Sequence, residues 1–129
     1  MILADTSAWV EFLRKTGAPA HLRLRELVGT GELATTDVVV MEVLAGARDE
    51  SELSELGDLV AACEFVPVEG PGDYEAAAVL YRACRAGGAT IRRLTDCLIA
   101  IVAIRAGLSV LHRDRDFDAI AAHSALRLA

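Results

Sequence analysis

The sequence predicts an α/β domain of three layers with a mainly parallel central sheet. Short apolar runs of strand length alternate along the chain with longer segments whose apolar residues recur at helical spacing. Glycine, proline and hydroxyl residues separate these segments, and no repeat, linker or low-complexity tract interrupts their order. Such alternation indicates parallel strands that are joined by crossover helices.

The first strand is the apolar run at residues 1–4, which stops at Asp5. Thr6 or Ser7 is expected to cap a helix whose apolar residues include Trp9. Asp5 would then lie just beyond the carboxyl end of a buried strand, where open α/β sheets bind their ligands. The alternative is that Asp5 is itself only an N-cap or turn residue.

Turn residues divide the rest of the chain into further elements. Pro19 suits the opening turn of a second helix, and Pro67 makes its strand an edge strand or a strand end. The other predicted strands lie at residues 32–35, 64–68 and 109–112, and the other predicted helices at 19–28, 37–48, 49–62, 73–85, 97–106 and 118–123. A short apolar run at residues 126–128 completes the chain.

The length and composition of the chain limit the classes of protein to which it can belong. The 129 residues fit a single domain, residues 1–129, and 53% of them are hydrophobic, a surplus that favours a subunit or partner interface. The net charge of −6 argues against a protein that coats nucleic acid, but a cluster of metal-binding carboxylates in a nuclease also gives an acidic total.

The cysteines and the apolar runs predict the cellular compartment of the protein. Three widely spaced cysteines without metal-ligand spacing suit a reducing compartment, and they are expected to behave as small apolar residues. We do not expect a signal peptide, because no basic region precedes the first apolar run and Asp5 interrupts it, and the longest apolar run is too short to cross a membrane. We therefore expect a cytoplasmic protein with no membrane association.

Glu42 is the only charged residue between Asp37 and Arg48, in a segment that is apolar on nearly every face. This pattern predicts a buried helix, and a carboxylate buried there needs a partner. The partner would be either an arginine or a bound cation.

Two further acids stand at similar junctions. Asp96 is in the first turn of a helix with no other charge before Arg105, and Asp114 follows the strand at residues 109–112. Helix capping by Thr95 or Asp96 is the simpler explanation for the first of these. In a parallel α/β fold, however, the carboxyl ends of the strands and the starts of the following helices lie at one edge of the sheet. We therefore expect Asp5, Asp96 and Asp114 to converge at this edge, with Glu42 in reach of them.

Converging carboxylates repel one another by about 4 kcal/mol per pair at 4 Å and an effective dielectric of 20. A bound cation removes this cost, and ligands that are all oxygen suit Mg²⁺ or Mn²⁺ better than zinc. Such a site commonly activates water and holds a phosphate for in-line displacement.

Four segments together resemble the acidic motifs of PIN-domain ribonucleases. They are residues 5–7, Glu42, residues 95–100 and residues 113–117. With the chain length and single-domain layout, the similarity is greatest to the VapC toxins of bacterial toxin-antitoxin pairs, and it covers essentially the whole chain.

The resemblance implies a PIN-like fold and an endoribonuclease dependent on Mg²⁺ or Mn²⁺. It implies structured RNA such as tRNA as substrate, a homodimer, and inhibition by a VapB-type antitoxin. Asp5, Glu42, Asp96 and Asp114 occupy the metal-site positions, and Asp116 is a second candidate ligand in the last motif. Thr6 matches the hydroxyl residue that follows the first acid. His112 and Arg113 replace a small polar residue of the family, so its supporting role is not carried over.

Six arginines are candidates for contacts with RNA phosphates, although each could equally be an ordinary surface residue. They are Arg82, Arg85, Arg92, Arg93, Arg113 and Arg115. Arg115 has the further alternative of bonding its acidic neighbours. His112 is either a proton carrier or a structural residue, and Trp9, Phe12 and Tyr81 are expected in the core or a dimer interface.

Two other functions compete with the nuclease. One is a PIN-like scaffold that binds a partner without cutting RNA, which the loss of a motif acid would favour; none is missing. The other is a phosphoacceptor domain of the response-regulator type. Such domains resemble this layout, but they use a lysine near the last strand. Lys15, the only lysine, is far too early.

Overall fold

Five parallel strands form the central sheet of the computed structural model, which describes residues 1–129. Their order is β3-β2-β1-β4-β5, and every neighbouring pair is parallel. The strands are β1 (Ile2–Ala4), β2 (Leu33–Thr35), β3 (Glu64–Phe65), β4 (Ser109–Leu111) and β5 (Arg127–Leu128). The strand with Pro67 behind it is at the edge, as predicted.

Seven helices cover the two faces of the sheet, which gives the predicted three-layer α/β/α architecture. They are α1 (Thr6–Arg14), α2 (Pro19–Leu27), α3 (Asp37–Ala45), α4 (Glu50–Ala61), α5 (Gly72–Ala86), α6 (Leu94–Ala106) and α7 (Arg115–Ala122). None of them is both long enough and apolar enough to cross a membrane.

The strand order places a topological switch between β1 and β4. From β1 the chain moves outward through β2 to β3, and it then returns to the other side of β1 to form β4 and β5. Right-handed crossovers therefore put α1–α4 on one face and α5–α7 on the other. A crevice opens at the carboxyl ends of β1 and β4, where α/β sheets of this kind bind ligands.

The core is built mainly from aliphatic side chains around two aromatic residues. Trp9 and Phe117 are fully buried, and most of α6 is buried as well. Cys84 and Cys97 are buried, Cys63 is half-buried, and none forms a disulfide. Burying α6 in this way fixes its N-terminal turn relative to the carboxyl edge of the sheet.

Three helix boundaries differ by three residues from the sequence prediction. α6 begins at Leu94 rather than at residue 97, α7 begins at Arg115 rather than at residue 118, and α3 ends at Ala45 rather than at residue 48. The start of α7 moves because the Asp114 carboxylate accepts a hydrogen bond from the backbone N–H of Asp116 and thereby caps the helix. The terminal apolar run pairs with β4 as a fifth strand.

The expectation that α3 is buried on all sides is wrong. Val39 and Val43 are buried, but Met41 is 61% exposed and Glu42 is only half-buried. The helix lies on the outside of the sheet, so only one face of it is covered, and its remaining apolar residues stay at the surface.

Candidate active site

A cleft of about 570 Å³ opens at the carboxyl edge of the sheet, at the switch between β1 and β4. All four acids that the sequence predicted to converge line this cleft, and only one lining residue is hydrophobic. The lining residues are Asp5, Thr6, Ser7, Val10, Glu11, Glu42, Arg92, Arg93, Asp96, Arg113, Asp114 and Arg115. A wall of this composition suits a charged ligand rather than an apolar one.

Asp5 both caps α1 and contributes to the cleft. Its Oδ2 accepts hydrogen bonds from the backbone N–H and the hydroxyl of Ser7, at 3.0 and 2.6 Å. The prediction that Thr6 or Ser7 provides the cap is therefore wrong. The other oxygen, Oδ1, is buried without a hydrogen-bond partner. Burial raises the pKa of Asp5, against the lowering effect of the bonds from Ser7.

Asp96 lies in the first turn of α6, where only 4% of the residue is exposed. It is not the N-cap, which is Arg93, and its Oδ2 has no hydrogen-bond partner. Burial, followed by the negative charges of Asp5 and Asp114, raises the pKa of Asp96 to about 7. The capping explanation is thus excluded, and no cationic side chain forms an ion pair with this carboxylate, although the nearby charge of Arg93 lowers its pKa in part.

Glu42 is held by a hydroxyl and not by the arginine that one alternative predicted. The Thr6 hydroxyl donates to Glu42 Oε1 at 2.8 Å, which links the start of α1 to the middle of α3. Because Thr6 follows Asp5 directly, the same turn fixes two of the acids in the cleft.

Replacing Thr6 with valine should release Glu42 while keeping the shape of the side chain. For the endoribonuclease that the resemblance implies, we expect the rate of RNA cleavage to fall roughly tenfold to a hundredfold, because small displacements of a positioned group are costly in catalysis. Thr6→Ser retains the hydroxyl and should stay close to the wild-type rate. Equal rates for Thr6→Val and the wild type would show that this hydrogen bond does not support activity.

Asp114 and Asp116 lie at the start of α7 and share the Arg92 side chain. Arg92 Nη2 donates to Asp114 Oδ1 at 2.5 Å, and Arg92 Nε donates to Asp116 Oδ2 at 3.0 Å. Burial would raise the pKa of Asp116, but its bonds with Arg92 lower it overall. One oxygen from each of Asp96, Asp114 and Asp116 lies within 4.8 Å of the others, although Asp116 does not line the cleft.

Four of the six candidate arginines line the cleft, and the other two, Arg82 and Arg85, do not. Arg113 Nε lies 3.8 Å from Glu11 Oε1, and Arg115 makes no ion pair with its acidic neighbours. The arginines at the cleft place positive charge beside its carboxylates.

His112 has a structural role. Its Nδ1 accepts a hydrogen bond from the backbone N–H of Asp114 at 3.1 Å, and its ring packs against Phe117. It does not line the cleft. Trp9 is buried in the core, as predicted, so it offers no surface on which a base could stack.

Ser7 is a site residue that the sequence analysis did not select. Its hydroxyl donates to Asp5 and accepts a hydrogen bond from the backbone N–H of Arg113 at 2.9 Å. It therefore ties the end of β1 to the loop after β4. The spacing Asp-x-Ser at a predicted helix start was the available signal, because that spacing suits a side-chain cap.

The side chains of the cleft fit a divalent cation. Two buried carboxylate oxygens, Asp5 Oδ1 and Asp96 Oδ2, have no partner in the chain, and burying unpaired oxygens of ionised groups is costly. The donor set contains oxygen only, which suits Mg²⁺ or Mn²⁺. A cation between these acids would satisfy both oxygens and offset the repulsion among the carboxylates.

Comparison with known proteins places the chain in a family. The PIN-domain family profile matches residues 2–123. Ribonuclease VapC11 of Mycobacterium tuberculosis is 44% identical over 131 aligned positions, which cover 100% of this chain and 98% of that protein. This chain belongs to the VapC ribonucleases of the PIN-domain family. By this homology the VapC chain is a ribonuclease of the toxin class, and the phosphoacceptor alternative is excluded.

Solved VapC structures share the fold at low sequence identity. VapBC2 from Rickettsia felis, bound to a DNA fragment from its promoter, has a TM-score of 0.78 at 20% identity and covers 100% of this chain and 98% of the solved chain. Mycobacterium tuberculosis VapC20, described as a Sarcin-Ricin loop cleaving toxin, has a TM-score of 0.71 at 19% identity and covers 98% and 99% of the two chains. The predicted PIN-like fold is thereby confirmed.

Proposed function

We propose that this VapC chain is an endoribonuclease that hydrolyses RNA phosphodiester bonds with the help of Mg²⁺ or Mn²⁺. Asp5, Glu42, Asp96 and Asp114 would hold the ion in the cleft. The observation that carries this proposal is the pair of unpartnered buried oxygens, on Asp5 and Asp96, in a cleft lined by two further acids.

Each element of the cleft has a separate task in this reaction. When bound, the ion lowers the pKa of a water nucleophile and stabilises charge that develops on the phosphate. Ser7 holds Asp5, and Thr6 holds Glu42, so both carboxylates are oriented before substrate arrives. The N-termini of α1, α6 and α7 all lie at the cleft, and their dipoles favour an anionic ligand.

We propose structured RNA as the substrate, with tRNA as the first candidate. Arg93, Arg113 and Arg115 line the same cleft as the acids and would bind backbone phosphates on either side of the cleaved bond. One structural neighbour, VapC20, is described as cleaving the Sarcin-Ricin loop, which makes ribosomal RNA the second substrate class to test.

The test is incubation of the purified, antitoxin-free chain with total tRNA, and separately with ribosomal RNA, in Mg²⁺ or Mn²⁺ and in EDTA. Discrete tRNA fragments that require the metal would support the proposal in full. Fragments from ribosomal RNA alone would contradict the tRNA assignment and leave the nuclease intact. No cleavage of either RNA by folded protein would favour the scaffold that binds without cutting.

We also propose that the chain pairs with a VapB-type antitoxin in the cytoplasm. Several structural neighbours were solved as VapBC complexes, and those from Rickettsia felis and Salmonella typhimurium are bound to DNA. Mixing the chain with its antitoxin should abolish cleavage of RNA if the antitoxin covers the cleft.

The proposed homodimer has a candidate surface on α5 and α6. Tyr74 and Leu94 are exposed large apolar residues, and together with Ala77, Ala78 and Leu98 they line a shallow apolar depression. A patch of this kind on a small domain is typical of a subunit interface.

Placing a charge in this patch should weaken the dimer. We expect Leu94→Glu to raise the dimer dissociation constant at least about tenfold, because an apolar contact would have to bury a carboxylate. Light scattering coupled to size exclusion measures the effect, with Leu22→Glu on α2 as the matched control. A wild-type chain that is monomeric at micromolar concentration would contradict the homodimer itself.

A further inference from the structure

Arg92 is bound to the acidic cluster by three hydrogen bonds. Its backbone N–H and its Nε–H both donate to Asp116 Oδ2, at 3.1 and 3.0 Å, and its Nη2 donates to Asp114 Oδ1 at 2.5 Å. The side chain as a whole is 59% exposed, and its guanidinium bridges two carboxylates of the last motif. The segment before α6 and the start of α7 are therefore joined through one cation.

The carboxylate oxygens of the cleft divide into two sets. Asp5 Oδ1 and Asp96 Oδ2 are buried without partners, and Asp114 Oδ2 accepts no hydrogen bond from the chain. Asp114 Oδ1 accepts from Arg92 and from the backbone of Asp116, and Asp116 Oδ2 accepts twice from Arg92. Arg92 therefore engages one oxygen of Asp114 and one of Asp116, and the second oxygen of each of these two acids accepts no hydrogen bond from the chain.

Arg92 places a positive charge against two acids of a cluster that could also hold a metal ion. In nucleases that use two metal ions, the ions lie about 4 Å apart and act on both sides of the reacting phosphate. Here one oxygen from each of Asp96, Asp114 and Asp116 lies within 4.8 Å of the others. A guanidinium stays charged at any relevant pH and binds carboxylates through a rigid fork, so it cannot vacate this place by losing a proton.

We propose that Arg92 is a resident cation that takes the place of a second divalent ion at Asp114 and Asp116 and limits the cleft to one divalent ion. Asp116 then acts as a positioning residue for Arg92 and not as a metal ligand. The single ion is held by Asp5, Glu42, Asp96 and Asp114, the four acids of the proposed function. This inference rests on the proposed function, because it takes the divalent-ion site as given.

The experiment counts the Mn²⁺ ions bound to the metal-free full chain, by equilibrium dialysis up to millimolar Mn²⁺ and by electron paramagnetic resonance. We expect one ion per wild-type chain and two per Arg92→Met chain, the second giving the spin-coupled signal of a close pair. Arg92→Gln serves as a second variant, and circular dichroism checks that both are folded.

Arg93→Met is the matched control, because it removes the same charge from the adjacent residue, which lines the cleft and makes no ion pair. It should still bind one ion. Two ions in the wild type, or only one in both folded Arg92 variants, would overturn the inference. A wild-type chain that binds no Mn²⁺ would instead refute the divalent-ion site on which the proposed function depends.

Discussion

Asp96→Asn should reduce the rate of RNA cleavage by at least about a thousandfold, because the substitution removes a charge that the ion and the reacting phosphate both depend on. Asp96 is the most central of the four acids in electrostatic terms, since its pKa responds to the charges of Asp5, Asp114 and Glu42. Asparagine is nearly the same size as aspartate, so the substitution leaves no cavity in the buried first turn of α6.

The rate is measured on a single tRNA species under single-turnover conditions, where binding and release do not limit it. Asp58→Asn is the control, because Asp58 is an exposed acid on α4 outside the cleft. A loss in both variants would indicate a general effect of charge. An Asp96→Asn chain that kept more than a tenth of the wild-type rate would remove Asp96 from the proposed metal site.

In the absence of divalent ions the chain should become less stable as the pH rises from about 4 to about 7. The pKa of Asp96 is about 7 in the folded chain, against an ordinary value of 3.8 for an aspartate. Between these values the folded state retains a proton that the unfolded state has lost, so the free energy of unfolding falls as pH increases. The raised pKa of Asp5 acts in the same direction.

The size of this effect is on the order of 2 kcal/mol between pH 5 and pH 7.5, since each unit of pKa difference contributes at most about 1.4 kcal/mol. The lowered pKa values of Asp73 and Asp116 give stability that is present above their unfolded-state pKa, near pH 4, and is lost only as the solution becomes more acid. Asp5 and Asp96 therefore change the free energy of unfolding above about pH 4, whereas Asp73 and Asp116 change it only in more acid solution.

Urea unfolding in EDTA measures this dependence. Asp96→Asn should be more stable than the wild type at pH 7.5 without metal, and its stability should vary less with pH. Adding Mn²⁺ should stabilise the wild type and leave Asp96→Asn nearly unchanged. If the wild-type stability stayed constant or rose from pH 5 to pH 7.5 in EDTA, the pKa of Asp96 would not be raised in the folded chain.

The convergence of three acids could be predicted from the sequence because it depends on topology alone. Asp5 and Asp114 follow strands, and parallel strands joined by right-handed crossovers bring such positions to one edge. Asp96 could be placed near them because it opens a helix that is apolar up to Arg105. The local sequence pattern and the order of the elements along the chain were therefore sufficient to predict that these three acids lie close together.

The partners of these acids could not be predicted in the same way. The Thr6 bond to Glu42 spans 36 residues and the Arg92 bonds to Asp114 and Asp116 span 22 and 24, so they depend on how separate elements pack. The exposure of Met41 is a similar case. An apolar helix pattern indicates that some face is buried but does not show how many neighbours cover it.

The most direct test of the metal site is an anomalous difference map from a crystal of the wild-type chain soaked in Mn²⁺. The proposed site predicts one peak per chain, about 2.1 Å from carboxylate oxygens among Asp5, Glu42, Asp96 and Asp114, with Arg92 still bound to Asp116. An empty cleft at saturating Mn²⁺, or a peak held by Asp116 with Arg92 displaced, would contradict the account.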